Sequence, residues 1–184
     1  MILNIEISGV TPLLMNRFNI SEVDKTVKRD KNLSPREEAS LVCYEDAEGR
    51  LYYPTCNIFA CIIEAGKFHK SGKLKITTAR SSLIPAGLMI EKEFVYFKRP
   101  STWEVDSRGV VIPSTGGKIV KNRPRLDDWC LGFSLILDTK MFTPKEVRMI
   151  LDDAGSKVGL GDFRPARKGI YGRFVVTGWD EIKD

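Results

Sequence analysis

A single histidine, His69, serves the whole of this 184-residue chain. Imidazole titrates near neutral pH and is the commonest metal ligand, so a multi-histidine metal or catalytic centre is excluded. Cysteine is sparse as well: Cys43, Cys56, Cys61 and Cys130 are scattered, with no Cys-x-x-Cys pair among them. That spacing opposes a closed zinc site or a disulfide framework, and points to free thiols in a reducing compartment. No apolar run approaches the roughly 18 residues that cross a bilayer. The opening Met1-Ile2-Leu3-Asn4-Ile5-Glu6 lacks the basic start and apolar stretch of a secretion signal. A cytoplasmic protein with no membrane partner is expected. There is no Gly-Lys-Ser/Thr phosphate loop, no Gly-x-Ser-x-Gly elbow, and no long internal repeat or low-complexity segment. The adjacent pairs Glu37-Glu38, Asp127-Asp128 and Asp152-Asp153 do not aim two carboxylates at one point. No metal or cofactor is expected.

What is present is a globular composition, 42% hydrophobic and 29% charged, which excludes wholesale disorder. The length suits one domain spanning 1–184. With 29 Lys and Arg against 24 Asp and Glu, the net charge is +5. That excess favours an anionic partner without naming it.

Leu3 to Ser8 alternates apolar and polar residues as a half-buried strand does. Residues 19–34 are charged with little to bury, which predicts an exposed loop. Ser34-Pro35-Arg36-Glu37 and Thr143-Pro144-Lys145-Glu146 each combine a cap, a proline and a third-position carboxylate, which predicts two helix starts. The first helix should be short, because Leu41 to Tyr44 reads as a strand with Arg50 to Tyr53 as its hairpin partner. Thr55 or Asn57 should cap a helix over Ile58 to Lys67. Leu88 to Phe97 is the longest strand expected, and Trp129 to Leu137 a core strand. Gly155 should close the second capped helix, before a last strand at Gly172 to Thr177. Residues 99–124 turn polar and are punctuated by glycine and proline, the pattern of an extended hairpin inserted into the domain and projecting from its core. Strand, helix and strands followed by strand, helix and strand give an α+β, ferredoxin-like (RRM-like) core. It has an antiparallel sheet, two main helices and that inserted hairpin.

The most informative stretch runs from Lys157 to Phe174. Gly159, Gly161, Gly169 and Gly172 allow unusual backbone angles and close approach, and Arg164, Arg167, Lys168 and Arg173 match phosphate. A rigid turn offering amides beside cations would make a phosphate cradle; a plain helix-to-strand connection is the competing reading. Two further basic stretches are Lys67, Lys70, Lys73, Lys75 and Arg80, and Lys118, Lys121, Arg123 and Arg125. If they meet the loop on one face they form a track for a nucleic-acid backbone; otherwise they are solvated surface. Trp103, in the polar hairpin region, is the ring expected to stack on a base or on a neighbouring copy. Trp129 and Trp179 flank core strands and read as structural.

The glycine loop resembles the C-terminal loop of the repeat-associated mysterious protein (RAMP) superfamily, the ferredoxin-like proteins of CRISPR RNA processing and effector complexes. Its second half, Gly169-Ile170-Tyr171-Gly172, is one residue wider than the usual form. Leu51 to Ala60 keeps the family's strand-proline-helix plan, with Ala60 and no nearby arginine where the family has a glycine and an arginine. Gly9-Val10-Thr11-Pro12-Leu13-Leu14 is similar to the family's first strand and following loop. The resemblance implies a non-catalytic subunit that holds single-stranded RNA by its phosphates within a homo-oligomer or multi-subunit assembly. DNA is not distinguished from RNA. Two alternatives stay open. One is an endoribonuclease of the same superfamily using His69, whose neighbouring cations disfavour its charged form, or Asp24 or Asp30 in the loop after the first strand. The other is a phage or mobile-element assembly protein that binds only protein.

Overall fold

Leu3, Ile5 and Ile7 are buried while Asn4, Glu6 and Ser8 between them are half-exposed, so the first strand turns one face to the core. The computed structural model describes residues 1–18, 33–111 and 115–182. Asp24, Asp30 and most of the expected 19–34 loop lie outside the described residues. In chain order the elements are β1 (Ile2–Gly9), β2 (Leu13–Leu14), α1 (Pro35–Leu41), β3 (Tyr52–Pro54), α2 (Thr55–Ala65), β4 (Lys70–Ser71) and β5 (Leu74–Lys75). There follow the single turn α3 (Ile84–Gly87), β6 (Leu88–Met89), β7 (Phe94–Arg99), β8 (Glu104–Val111), β9 (Lys118–Leu126), β10 (Cys130–Leu137), α4 (Pro144–Asp153) and β11 (Phe174–Ile182).

The main sheet runs β11-β1-β10-β7-β3 and is antiparallel throughout, with β6 paired to the end of β10. With α2 following β1 and α4 following β10, this is the ferredoxin-like order plus an extra edge strand, β3. The two helices cover one face. Ile58, Cys61 and Ile62 of α2, and Val147, Ile150 and Leu151 of α4, are buried against Leu131, Phe133 and Leu135 of β10. Each such aliphatic side chain contributes about 1.5–3 kcal/mol on burial.

Both capped helix starts form. The Ser34 hydroxyl accepts from the Glu37 amide (3.3 Å) while the Glu37 carboxylate accepts from the Ser34 amide (2.7 Å), and Thr143 and Glu146 repeat the exchange. The third helix begins differently. No side chain caps α2; instead Thr55 donates its amide to the Glu93 carbonyl (2.9 Å) and its hydroxyl to that of Lys92. Those carbonyls are thereby taken from the sheet, which is why the expected strand from Leu88 to Phe97 is broken into β6 and β7. The strand expected over Leu41 to Tyr44 does not form either. An isolated Glu45–Leu51 bridge and a Tyr52 amide to Tyr44 carbonyl bond (3.0 Å) link that region, and Tyr52–Pro54 pairs with β7 instead. Gly155 does not end α4, which continues as a π turn over Ala154–Val158 and stops at Gly159, where φ is 76°. A Cβ at Gly155 would lie 2.1 Å from the Phe174 carbonyl oxygen, so this glycine serves close packing against β11, not a helix cap.

β8 and β9 pair as an antiparallel hairpin, which with β2 forms a second sheet of order β2-β9-β8. Its outer half is exposed, whereas its base is part of the packed structure. Asp106, Asn122, Arg123 and Leu126 are buried, Asn122 donates to the Glu38 carboxylate of α1, and Trp103 is half-buried.

Candidate nucleic-acid interface

The glycine loop is a knot of its own hydrogen bonds. The Leu160 amide donates to the Gly172 carbonyl (2.9 Å), Tyr171 to Phe163 (3.0 Å) and Gly169 to Arg164 (3.0 Å). Outward, Asp162 donates to Leu14 (2.9 Å), Gly172 to Pro12 (2.8 Å), and the Gly161 amide to the buried Tyr53 hydroxyl (2.8 Å). The expected amide cradle is therefore corrected, because these amides are already satisfied within the protein. What Gly159 and Gly161 supply is shape. Both have positive φ, and a Cβ on Gly161 would lie 2.5 Å from the Leu14 carbonyl oxygen. The loop is a rigid mount, and its side chains are what it can offer.

Those side chains divide. Arg167 and Lys168 are exposed and, among the described residues, their side chains have no partner. Arg164 is half-buried and donates to the Gly161 carbonyl (3.0 Å). Arg173 donates to the Ser156 carbonyl, tying down the π turn. Arg123, expected on a phosphate track, is instead buried beneath the loop. Its Nε lies 2.7 Å from the Asp162 carboxylate, and its guanidinium lies 5.0 Å from the Phe163 ring centre. The approach is one of charge without hydrogen-bond alignment, and Nη1 is left unpartnered. Arg108 completes the cluster, paired with Asp106 and donating to the Tyr171 hydroxyl (2.7 Å).

The basic stretches do not all converge. Lys67 follows Glu64 by one turn, where the two pair at 3.4 Å, and Lys70, Lys73, Lys75 and Arg80 are exposed beyond it. Lys118 sits at the far end of β9 from the strand's base, roughly 25 Å away. Lys121 is half-buried opposite Arg108. Trp103 lies under the Arg36 guanidinium, 4.5 Å from the ring centre, so one face of the ring expected to stack on a base is already covered. His69 is mostly buried, and its Nε2 lies 3.1 Å from the Asp153 carboxylate, which also pairs with Lys157. Its nearest charge is thus an anion, contrary to the cationic setting read from sequence. Among the described residues no group of three or more His, Cys, Asp or Glu could hold a metal, and no helix is long and apolar enough to cross a membrane.

Between the glycine loop and α2 lies a polar cleft of about 290 Å³. Sequence reasoning missed it. Asn57, Ala60 and Glu64 line it from one helical face, and Asn16, Tyr44, Asp162 and Arg164 from the loops. The spacing of Asn57 and Glu64, two turns apart with Ala60 and Cys61 between them on the same face, was the available signal. Asn57 donates to the Tyr44 hydroxyl (3.2 Å) and Asn16 to Asp162 (3.3 Å). Burial pushes the Tyr44 phenol up and the neighbouring Cys61 thiol up to about 12, so both stay protonated at neutral pH. The open face of the sheet differs from an RRM platform. Its central strands present Asn4, Glu6, Gly132 and Ser134, and the aromatics Tyr52, Phe94 and Tyr96 gather at the β3–β7 edge.

The class defined by these features is a ferredoxin-like α+β protein with a basic glycine-turned loop beside a polar cleft. No protein-family model matches the chain, and no curated protein matches it in sequence. Its fold is similar to that of a chain in the cryo-EM structure of the Type III-B Cmr-beta bound to cognate target RNA. The identity is 12%, the TM-score 0.51, and the match covers 97% of this chain. This chain spans 59% of the length of that one.

Proposed function

We propose that this protein is a non-catalytic subunit that holds single-stranded RNA by its phosphates within a CRISPR-type ribonucleoprotein assembly. The observation that carries the reading is the glycine loop: a self-bonded mount that keeps Arg167 and Lys168 exposed and, among the described residues, unpaired, with Arg164 held to the Gly161 carbonyl. A rigid arginine fork loses little freedom on meeting a phosphate, and phosphate contacts fix a strand without reading its bases. The likeness to a chain from an RNA-bound complex, and the glycine loop's resemblance to the RAMP superfamily, support the same reading. The outer half of the β8–β9 hairpin, exposed on both strands, is the element suited to reach a neighbouring subunit.

The test is a salt-titrated binding assay against single-stranded RNA, single-stranded DNA and duplex DNA of equal length. The chain is expected to prefer RNA, and the joint variant Arg167→Ala and Lys168→Ala should lower the logarithmic salt slope by about 1.4, two contacts at about 0.7 each for a single strand. Affinities no better than about 10⁻⁴ M for all three, the level of non-specific binding, would overturn the reading in favour of a protein-only assembly role.

A further inference from the structure

The cleft beside the glycine loop is built differently from a phosphate track. Its recognition groups include the carboxylate of Glu64, whose Oε1 also accepts from Lys67 (3.4 Å) while its Oε2 has no partner among the described residues, and the side-chain amides of Asn16 and Asn57. In the hydrogen bonds described above, each asparagine gives one of its two amide N–H groups to the protein, at Asp162 and at Tyr44, and Asp162 is paired with Arg123, so the Glu64 carboxylate is the main anionic acceptor that the cleft offers a ligand. Arg164 stands at the loop side as the one arginine of the lining. At about 290 Å³ the space lies at the lower limit of small-molecule pockets, suiting one planar heterocycle better than a dinucleotide.

We infer that this cleft receives one extruded base of the bound strand and selects a base rich in hydrogen-bond donors, guanine above all. This rests on the RNA-binding reading and adds base selectivity to it. Guanine presents N1–H and the N2 amino group side by side, which a carboxylate such as Glu64 can accept as a pair. Uracil presents two carbonyls flanking one N–H, and they would face the same carboxylate unfavourably. Arg164 lies where it can take the phosphate of the inserted nucleotide, linking the cleft to the exposed cations of the loop. Tyr44, protonated and held by Asn57, lines the wall and offers a ring edge or a hydroxyl to the base.

The experiment compares an all-uridine oligoribonucleotide with one of equal length carrying guanosine at every third position, and separately titrates guanosine and uridine monophosphates. The guanosine strand is expected to bind about tenfold more tightly, within the range of one bidentate base contact. Glu64→Gln removes the paired acceptor while keeping size, and Ala60→Leu fills the cleft from an exposed helical position without touching a polar group. Each should reduce the ratio between the strands to near one while the all-uridine strand still binds. Equal binding of the two strands by the unmodified protein overturns the base-selecting cleft and leaves the RNA reading standing. Selective guanosine monophosphate binding without strand binding overturns the RNA reading and the extruded base with it, leaving only the cleft's selectivity for guanine. Failure of every probe overturns both.

Discussion

Cys43 and Cys61 are buried, and desolvation pushes both thiols up to about 12. Their folded pKa lies above the unfolded value, so the folded state holds protons that the unfolded chain releases. The associated stability is complete below about pH 8.5 and falls as pH rises toward 12, by about 1.4 kcal/mol per pH unit for each thiol. Urea titrations at rising alkaline pH should show this decline, and replacing both cysteines with alanine should flatten it. At pH 8 a thiol reagent should label the exposed Cys56 quickly and these two only on unfolding, which mass spectrometry resolves. Gly161 is the other residue whose chemistry decides much. Gly161→Ala combines φ of 74° with a Cβ 2.5 Å from backbone oxygen, so it should destabilise by about 2–4 kcal/mol in chemical denaturation.

Among elements, the hairpin and the glycine loop are joined by the ion pair of buried Arg123 with half-buried Asp162, beside the Arg108–Tyr171 hydrogen bond. Arg123→Met strips Asp162 of its cation, and Asp162→Asn leaves Arg123 buried and uncompensated. Each should cost about 3 kcal/mol in chemical denaturation, and the double variant clearly less than the sum. Additive losses would show that Arg123 and Asp162 are not coupled. The capped helices were legible because a cap, a proline and a glutamate act within four residues. The break at Ile90 to Glu93 was not, because it depends on Thr55, far away in sequence, claiming two carbonyls. Arg123 was misread for the same reason. Its charge is visible in the chain, but its burial is set by Asp162 and Phe163 meeting it from another element. The cleft escaped notice because its walls come from four separate segments.

At the scale of the molecule, the ferredoxin-like core was readable because alternating strands and capped helices recur in the right order, and the core is apolar enough to dictate it. The outer hairpin is separable from that core. Replacing residues 110–119 with an Asn-Gly turn joins the paired positions Gly109 and Val120. The melting temperature should stay within about 3 °C, a change that corresponds to under about 1 kcal/mol. Binding to a short RNA should persist while cooperative loading on a long RNA, followed by sedimentation, is lost. Undiminished loading would remove the hairpin from the assembly surface.

The register of the central strand has a consequence for biosynthesis. β1 is made before both of its partners: Ile2 pairs with Ile136 on one edge and with Ile182 on the other. Neither partner exists until most of the chain has been translated. On the ribosome, β1 therefore waits with both edges open and its apolar side uncovered, while α1, α2 and the β8–β9 hairpin can form from local contacts alone. Closure of the sheet is a late event governed by long loops. The nascent chain is thus most in need of a chaperone between the release of β1 and the arrival of β11.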